Sequence, residues 1–311
     1  MRVLLALGGN AMTAADGSAT PAAQIAAITG AMESVAALIA EGHEVVLTHG
    51  NGPQVGNLLV KNEIAADVVP PVPLDWCGAQ TQGTIGFVAM GALESALAAR
   101  GIDKRVAALV TRTLVDADDA GFSHPTKPVG RYLDREQAER MIEHGQTWED
   151  RGERGWRRVV ASPEPRQVLE TETIRTLVDA GYVVVAAGGG GIPVVREHSG
   201  RVRGVEAVID KDLTAALLAA GLGVDALVIA TDVEHAILDY GTDHARPIEQ
   251  VTVAQMDGYA QDGQFASGSM GPKVEAALRF ARTGGRSIIT SLDRIVEAVD
   301  AGYGTVISPS D

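Results

Sequence analysis

The chain has a single cysteine, Cys77, among 311 residues. One thiol cannot close an internal disulfide, so no oxidised framework is available, and the expected role of Cys77 is a buried structural thiol. Aromatic residues make up only 4%, so the core must be built mainly from Ala, Val, Leu and Ile. Long apolar runs are missing too: no stretch approaches the roughly 20 continuous apolar residues of a membrane helix. The opening MRVLLALGGNAM has neither a basic n-region nor a long h-region and predicts a first strand, not a signal peptide. A cytoplasmic location is the expectation. Positive charge is scarce, with 26 Lys and Arg against 40 Asp and Glu and a formal net charge of -14. That balance argues against a nucleic-acid or anionic-membrane partner, which needs a basic face. It leaves room for a small anionic substrate, because a few local cations can dominate one pocket.

Several motifs are also absent. No G-x-x-x-x-G-K-[ST] loop is present to hold a nucleotide in the P-loop manner, and no G-x-G-x-x-G opens the first helix. No His or Cys spacing suggests zinc, and no G-x-S-x-G elbow occurs. Lysine itself is rare. Lys61, Lys104, Lys127, Lys211 and Lys273 are the only five, against 21 arginines. Coding bias explains the preference for Arg, and a lysine kept against that bias becomes a functional candidate.

What is present is a strand-helix alternation over nearly the whole length. Apolar runs at Val3 to Leu7, Glu44 to Leu47, Val106 to Thr111, Tyr182 to Ala187, Val205 to Ile209, Ala226 to Ala230, Ser287 to Thr290 and Thr305 to Ile307 predict strands, with a short one at His235 to Asp239. Helical patterns fall at Pro21 to Glu41, from near Pro53, and at Trp76 to Arg100, Arg166 to Ala180, Asp212 to Ala220, Val253 to Gln261, Pro272 to Thr283 and Leu292 to Ala301. This order predicts an α/β class: an open, mainly parallel sheet with helices on both faces in a single 1–311 domain. The polar, irregular stretch 115–160 interrupts the alternation and reads as a small subdomain or lid inserted over the site.

Three glycine loops follow predicted strands, where ligands of such sheets gather. Gly8-Gly9-Asn10-Ala11 is the first, Thr48-His49-Gly50-Asn51-Gly52-Pro53-Gln54 the second, and the run Gly188 to Gly191 before Ile192-Pro193 the third. Small residues at a strand-to-helix turn let backbone N–H groups approach an anion. Each loop also has a plain reading as a tight turn. Four consecutive glycines lower stability by roughly 0.5–1 kcal/mol each in regular structure, which points to close approach of a bulky group such as a nucleotide phosphate. Lys211, between Asp210 and Asp212, and Lys273, just inside a helix start, sit at element junctions. A cation is unfavourable at a helix N-terminus, so Lys273 predicts a neighbouring anion. Lys127 is held between Pro125 and Pro128 inside the insertion.

These segments, together with Pro125 to Gly130, Ser162-Pro163-Glu164-Pro165, Thr231-Asp232-Val233 and Gly268 to Lys273, resemble the carbamate kinases of the amino acid kinase family. The resemblance stays in register from the first strand to Lys273. It departs mildly from the family pattern at Ala161, where proline is common, and at Gly271, in a variable slot. It implies a three-layer αβα sandwich around an eight-stranded, mainly parallel sheet with a protruding subdomain, usually in a homodimer. It implies Mg²⁺ carried by ATP or ADP, with no direct protein ligand to the metal, and transfer between ATP and carbamate, often run towards ATP in arginine catabolism. By motif, Gly8, Gly9, Asn10, Gly50, Asn51 and Gly52 in the N-terminal part would hold carbamate and the moving phosphoryl group. Lys127 would reach the same site, Lys211 and Lys273 would neutralise phosphate charge, and Asp212 would orient the lysines. Gly189, Gly190, Thr231, Asp232, Val233 and Met270, in the 188–311 part, would lie near the nucleotide. The alternatives are a sibling kinase of glutamate or N-acetylglutamate, or a non-catalytic ATP sensor. A sibling kinase would need an arginine near the acceptor loops, and none lies within Gly8 to Ala15 or Thr48 to Gly56. A sensor would be expected to lose the lysines.

Overall fold

A computed structural model describes residues 1–13, 20–266 and 269–309, the side chain of Asn10 excepted. The eight strands of its main sheet are β1 (Arg2–Leu7), β2 (Glu44–His49), β3 (Val106–Ala108), β4 (Val183–Val185), β5 (Ala226–Thr231), β6 (Gln250–Thr252), β7 (Arg286–Ser291) and β8 (Thr305–Ser308). Their spatial order is β6-β8-β7-β5-β1-β2-β4-β3. Six strands run parallel; β8 pairs antiparallel with β7, and β6 follows β8. The fold is the expected αβα sandwich.

The period-2 geometry of a strand divides its side chains between two faces. In β1, Val3, Leu5 and Leu7 enter one core and Leu4 and Ala6 the other. The first core is closed by helices α1 (Pro21–Ala40) and α3 (Leu74–Ala99), which supply Ile28, Met32, Val35, Ile85, Leu93 and Leu97. Helix α2 (Gly52–Ala65) leads from β2 towards α3. The second core is closed by α4 (Lys211–Leu222) and α5 (Met270–Ala281), through Ala215, Leu218, Val274 and Phe280. Each such buried aliphatic side chain contributes about 1.5–3 kcal/mol, and few of them are aromatic, as the composition requires. By length and apolarity α1 could cross a membrane, which departs from the expectation that no such stretch exists. Here its inner face is spent on the sheet and on α3.

Three expected segments differ. The strand expected over 106–111 ends at Ala108, because the N–H of Thr111 is taken by Gln82 Oε1 at 2.8 Å and the chain turns into a second sheet at Arg112–Val115. Arg166 to Val168 are strand, not helix: Pro165–Val168 pairs with residues 113–115, and the helix starts only at Thr171. The strand expected over 205–209 is reduced to one bridge, Ala161 to Ala207, while Val202–Gly204 pairs with Ile192–Arg196. Within the polar 115–160 stretch, Lys127–Leu133, Trp148–Asp150 and Trp156–Val160 make a separate three-stranded antiparallel sheet. Its own small core is Leu133, Ala138, Met141 and Trp148.

Candidate active site

Strands β7, β5, β1, β2 and β4 are consecutive neighbours and parallel, so their carboxyl ends form one row. The glycine loops therefore meet along that edge. The chain leaves β1 for β2 on one side and returns for β5 on the other, which makes the β1–β5 boundary the topological switch point where such sheets bind ligands. Gly8 sits on that boundary. Its N–H donates to Ala230 O at 3.0 Å, and a Cβ there would come within 3.1 Å of the same oxygen. Gly50 extends the β2 ladder by donating to Leu7 O, and a Cβ there would press on Gly9 at 3.1 Å. The first two loops thus pack backbone against backbone.

The third loop is tighter still. Gly189, Gly190 and Gly191 have φ of 67°, 89° and 85°. Added Cβ atoms from Gly188 to Gly191 would lie 2.4 Å from His49 Nε2, 2.1 Å from Asn51 Nδ2, 2.6 Å from Ile209 O and 2.1 Å from Thr113 Oγ1, in that order. Much of the close approach implied by the run is made to the protein's own atoms. Gly190 O accepts from both Thr113 Oγ1 (2.8 Å) and Thr214 Oγ1 (3.0 Å), so the loop is pinned to α4.

Asn51 is the N-cap of α2, yet its side chain makes no capping bond. Its Nδ2 donates instead to Thr81 Oγ1 at 2.9 Å. The first N–H groups of α2 have no side-chain cap and suit an anion. His49, only 3% exposed, donates from Nδ1 to Gly50 O at 2.9 Å. Burial pushes its pKa down to about 4, the bond to Gly50 opposes this, and the Lys211 charge lowers it further, so the ring is neutral.

The lysines converge on one carboxylate. Asp210 caps α4 by accepting from the N–H groups of Asp212 and Leu213 at 2.9 and 3.2 Å. This fixes the first turn and turns Asp212, 3% exposed, inward. Lys211 Nζ donates to Asp212 Oδ1 at 2.5 Å, and Lys273 Nζ, from the first turn of α5, donates to Oδ2 at 3.2 Å. Burial alone pushes the Asp212 carboxyl up; the two ammonium groups outweigh it and hold the pKa below the ordinary carboxylate value. The anion that the position of Lys273 predicted is therefore Asp212. Both lysine side chains keep 16–18% exposure, so their free N–H bonds can face a ligand.

Not every predicted residue joins this cluster. Thr231 donates to Asp232 Oδ1 at 3.0 Å at the end of β5, with Val233 exposed beside them. Met270 opens α5 and packs on the second core. Lys127 begins the strand that lies along α2 and is paired there with Val160, while its ammonium group has no hydrogen-bond or ion-pair partner among the described residues. Gly9 belongs to a short turn over Gly9–Met12, and Gly52 is the first residue of α2. The side chain of Asn10 and the backbone of Gly268 lie outside the described residues.

Sequence reasoning missed the groups that hold the loops. Gln82, buried in α3, donates to Thr111 O and Gly188 O at 3.1 and 3.0 Å while accepting from Thr111 N–H. Thr113 and Thr214 clamp Gly190. No sequence signal marks them, because an amide inside a helix and hydroxyls near two loops are ordinary until the fold joins them.

A model of the amino acid kinase family matches residues 1–291. The carbamate kinase of Pyrococcus horikoshii is 45% identical over 312 residues, covering 99% of both chains. That of Trichomonas vaginalis is 44% identical over 314 residues and covers both chains completely. The solved structure of carbamate kinase from Giardia lamblia bound to AMP-PNP superposes with a TM-score of 0.95 at 41% identity, over 99% of this chain and 98% of that one. The resemblance stated from the motifs therefore extends over the full length, and this chain belongs to the amino acid kinase family, in its carbamate kinase branch.

Proposed function

We propose that the chain catalyses reversible phosphoryl transfer, ATP + carbamate giving ADP + carbamoyl phosphate. The observation that carries this reading is the Lys211–Asp212–Lys273 cluster. Two ammonium groups from two helix starts share one buried carboxylate, and the helix that follows the second glycine loop starts without a side-chain cap. Phosphoryl transfer is mainly positioning and charge stabilisation. Here donor and acceptor are both anions and repel each other. The attacking carbamate oxygen is already ionised and requires no general base. What the reaction needs is oriented positive charge. The acceptor and moving phosphoryl group would lie against Gly8, Gly9, Asn10, Gly50, Asn51 and Gly52. The nucleotide would run past Gly189 and Gly190 towards Thr231, Asp232, Val233 and Met270. The AMP-PNP bound by the Giardia relative, an ATP analogue, supports the nucleotide assignment.

Both oxygens of Asp212 are engaged by lysines, which supports a role as their counter-charge. Mg²⁺ would come with the nucleotide phosphates and neutralise charge there. Lys127 would complete the site when the 127–160 sheet, acting as a lid, brings it over the acceptor. A homodimer belongs to the same reading: the outer face of α3 leaves Trp76 and Phe87 60% and 72% exposed, and sedimentation of the purified protein tests it. We also propose a cytoplasmic enzyme running towards ATP in arginine breakdown.

The test of the activity is coupled ATP formation from ADP, Mg²⁺ and carbamoyl phosphate. ATP production that disappears in Lys211→Ala supports both reaction and site. A folded protein that makes no ATP refutes the carbamate assignment and directs an acceptor screen to glutamate and N-acetylglutamate.

A further inference from the structure

We infer that His49 is a positioning residue: its buried imidazole holds the Gly50–Asn51 peptide with its carbonyl turned inward and its N–H turned towards the transferring phosphoryl group. The inference rests on the phosphoryl-transfer reading for the identity of that group. The geometry itself does not depend on it. A carbonyl can only accept, so the 2.9 Å contact with Gly50 O puts the proton on Nδ1. The peptide is trans, so the N–H of Asn51 points opposite to that carbonyl. No other described residue takes up that N–H. A glycine at position 50 leaves this peptide free to rotate, so something must hold it.

The far side of the ring is wedged. Nε2 faces Gly188, where a Cβ would come within 2.4 Å, and the ring is 3% exposed. The imidazole therefore has one tautomer and little freedom, and it transmits the place of the third loop to the peptide of the second. A neutral ring is also needed here, because a charged one would repel Lys211. Asparagine at position 49 keeps an N–H on the atom bonded to Cγ, as Nδ1 is. Leucine keeps the bulk and loses the donor.

The test compares His49→Leu, His49→Asn and Gly188→Ala in the coupled assay, with circular dichroism as the check of folding. The expected result is that His49→Leu lowers kcat by about 10²-fold, the loss typical of one oriented oxyanion donor, with KM for ADP nearly unchanged. His49→Asn recovers most of it. Gly188→Ala alone also lowers kcat, and His49→Asn in the same chain partly rescues it, because the shorter side chain makes room for the new methyl. Equal behaviour of Leu and Asn, or a folded His49→Leu within about threefold of the unmutated kcat, overturns the inference. If the unmutated protein makes no ATP, the functional reading fails by itself. Crystal structures of unmutated protein and His49→Leu then decide: a rotated 50–51 peptide in the variant supports the positioning role, and an unchanged one refutes it.

Discussion

Replacing Asp212 by asparagine keeps the shape of the side chain and removes its charge. In the unmutated protein the carboxylate is 3% exposed and receives Lys211 and Lys273 at 2.5 and 3.2 Å. Each close pair is worth about 4 kcal/mol of Coulomb energy at 4 Å in a medium of effective dielectric 20, offset largely by the desolvation of the three groups. Breaking a buried pair by deleting one partner costs about 3–5 kcal/mol, because the other charge is stranded. Here the stranded lysine side chains retain 16–18% exposure and can turn to water, which places the loss near the low end, about 3 kcal/mol. The lysines would also repel each other and lose their aim, so kcat should fall on the order of 10²–10³. Urea unfolding and the coupled ATP assay measure the two effects. The stability gap has a pH dependence with a definite sign. The folded pKa of Asp212 lies below its ordinary value, so its contribution is complete above that ordinary value and disappears as pH falls through the folded pKa. An Asp212→Asn protein as stable and as active as the unmutated one at pH 7 would refute the counter-charge reasoning.

Other perturbations separate the parts of the site. Lys211→Ala and Lys273→Ala should fold and lose about 10²–10³ in kcat, and normal turnover in both would remove the lysines from the mechanism. Gly189→Ala should lose turnover, because its φ of 67° disfavours a side chain and the new Cβ would meet Asn51 Nδ2 at 2.1 Å; steady-state kinetics with ADP and carbamoyl phosphate checks this. Thr214→Val removes one of the two hydroxyls on Gly190 O and should lower stability by about 1 kcal/mol, read by urea denaturation. His49 has its pKa pushed down to about 4 by burial, so the unfolded chain binds the extra proton at lower acidity. The protein should lose up to about 3 kcal/mol as pH falls from about 6.5 to about 4, a loss absent from His49→Asn.

Most of the main sheet was legible because its central strands are buried on both faces and read as short apolar runs bounded by glycine or aspartate, as in β1 and β5, whereas the edge strand β6, exposed or half-buried throughout, gave no such run. Of the strands that pair outside the main sheet, only the short one expected at His235 to Asp239 was legible, as Ile237–Leu238 paired with Arg246–Pro247. Pro165–Val168 alternates buried ends with exposed Arg166 and Gln167, a pattern too short to distinguish from the helix that follows. The lysine junctions were visible as chemistry, and Lys273 even announced a missing anion, but only the fold could supply Asp212 from 61 residues away. The glycine run pointed to the site for an incomplete reason. Its four missing side chains make room for His49, Asn51, Ile209 and Thr113, contacts that cross three elements and have no periodicity to betray them.

The same contacts explain how a chain with a formal net charge of -14 can gather two anionic reactants. Lys211, Asp212 and Lys273 together carry a net charge of +1, and the carboxylate fixes both ammonium groups before any ligand arrives. That geometry leaves less reorganisation to the reacting complex, which is where preorganised charge gains its advantage over mobile charge in water. Two bare lysines from separate helices would stay apart through mutual repulsion, and each would enter at the unfavourable positive end of its helix. The carboxylate removes both obstacles at once. The glycine loops add N–H groups without adding charge, and the neighbouring Asp210 carboxylate is turned to the N–H groups of Asp212 and Leu213, so the two ammonium groups can act on the acceptor loops inside an acidic protein. An additional carboxylate in this row of loops would cancel their field. Gly9→Asp should therefore be more damaging to turnover than Gly9→Ala, since a Cβ at position 9 meets nothing within 4 Å and the difference between the two variants isolates charge. If both variants lower kcat equally, steric fit and not the field governs the acceptor loops.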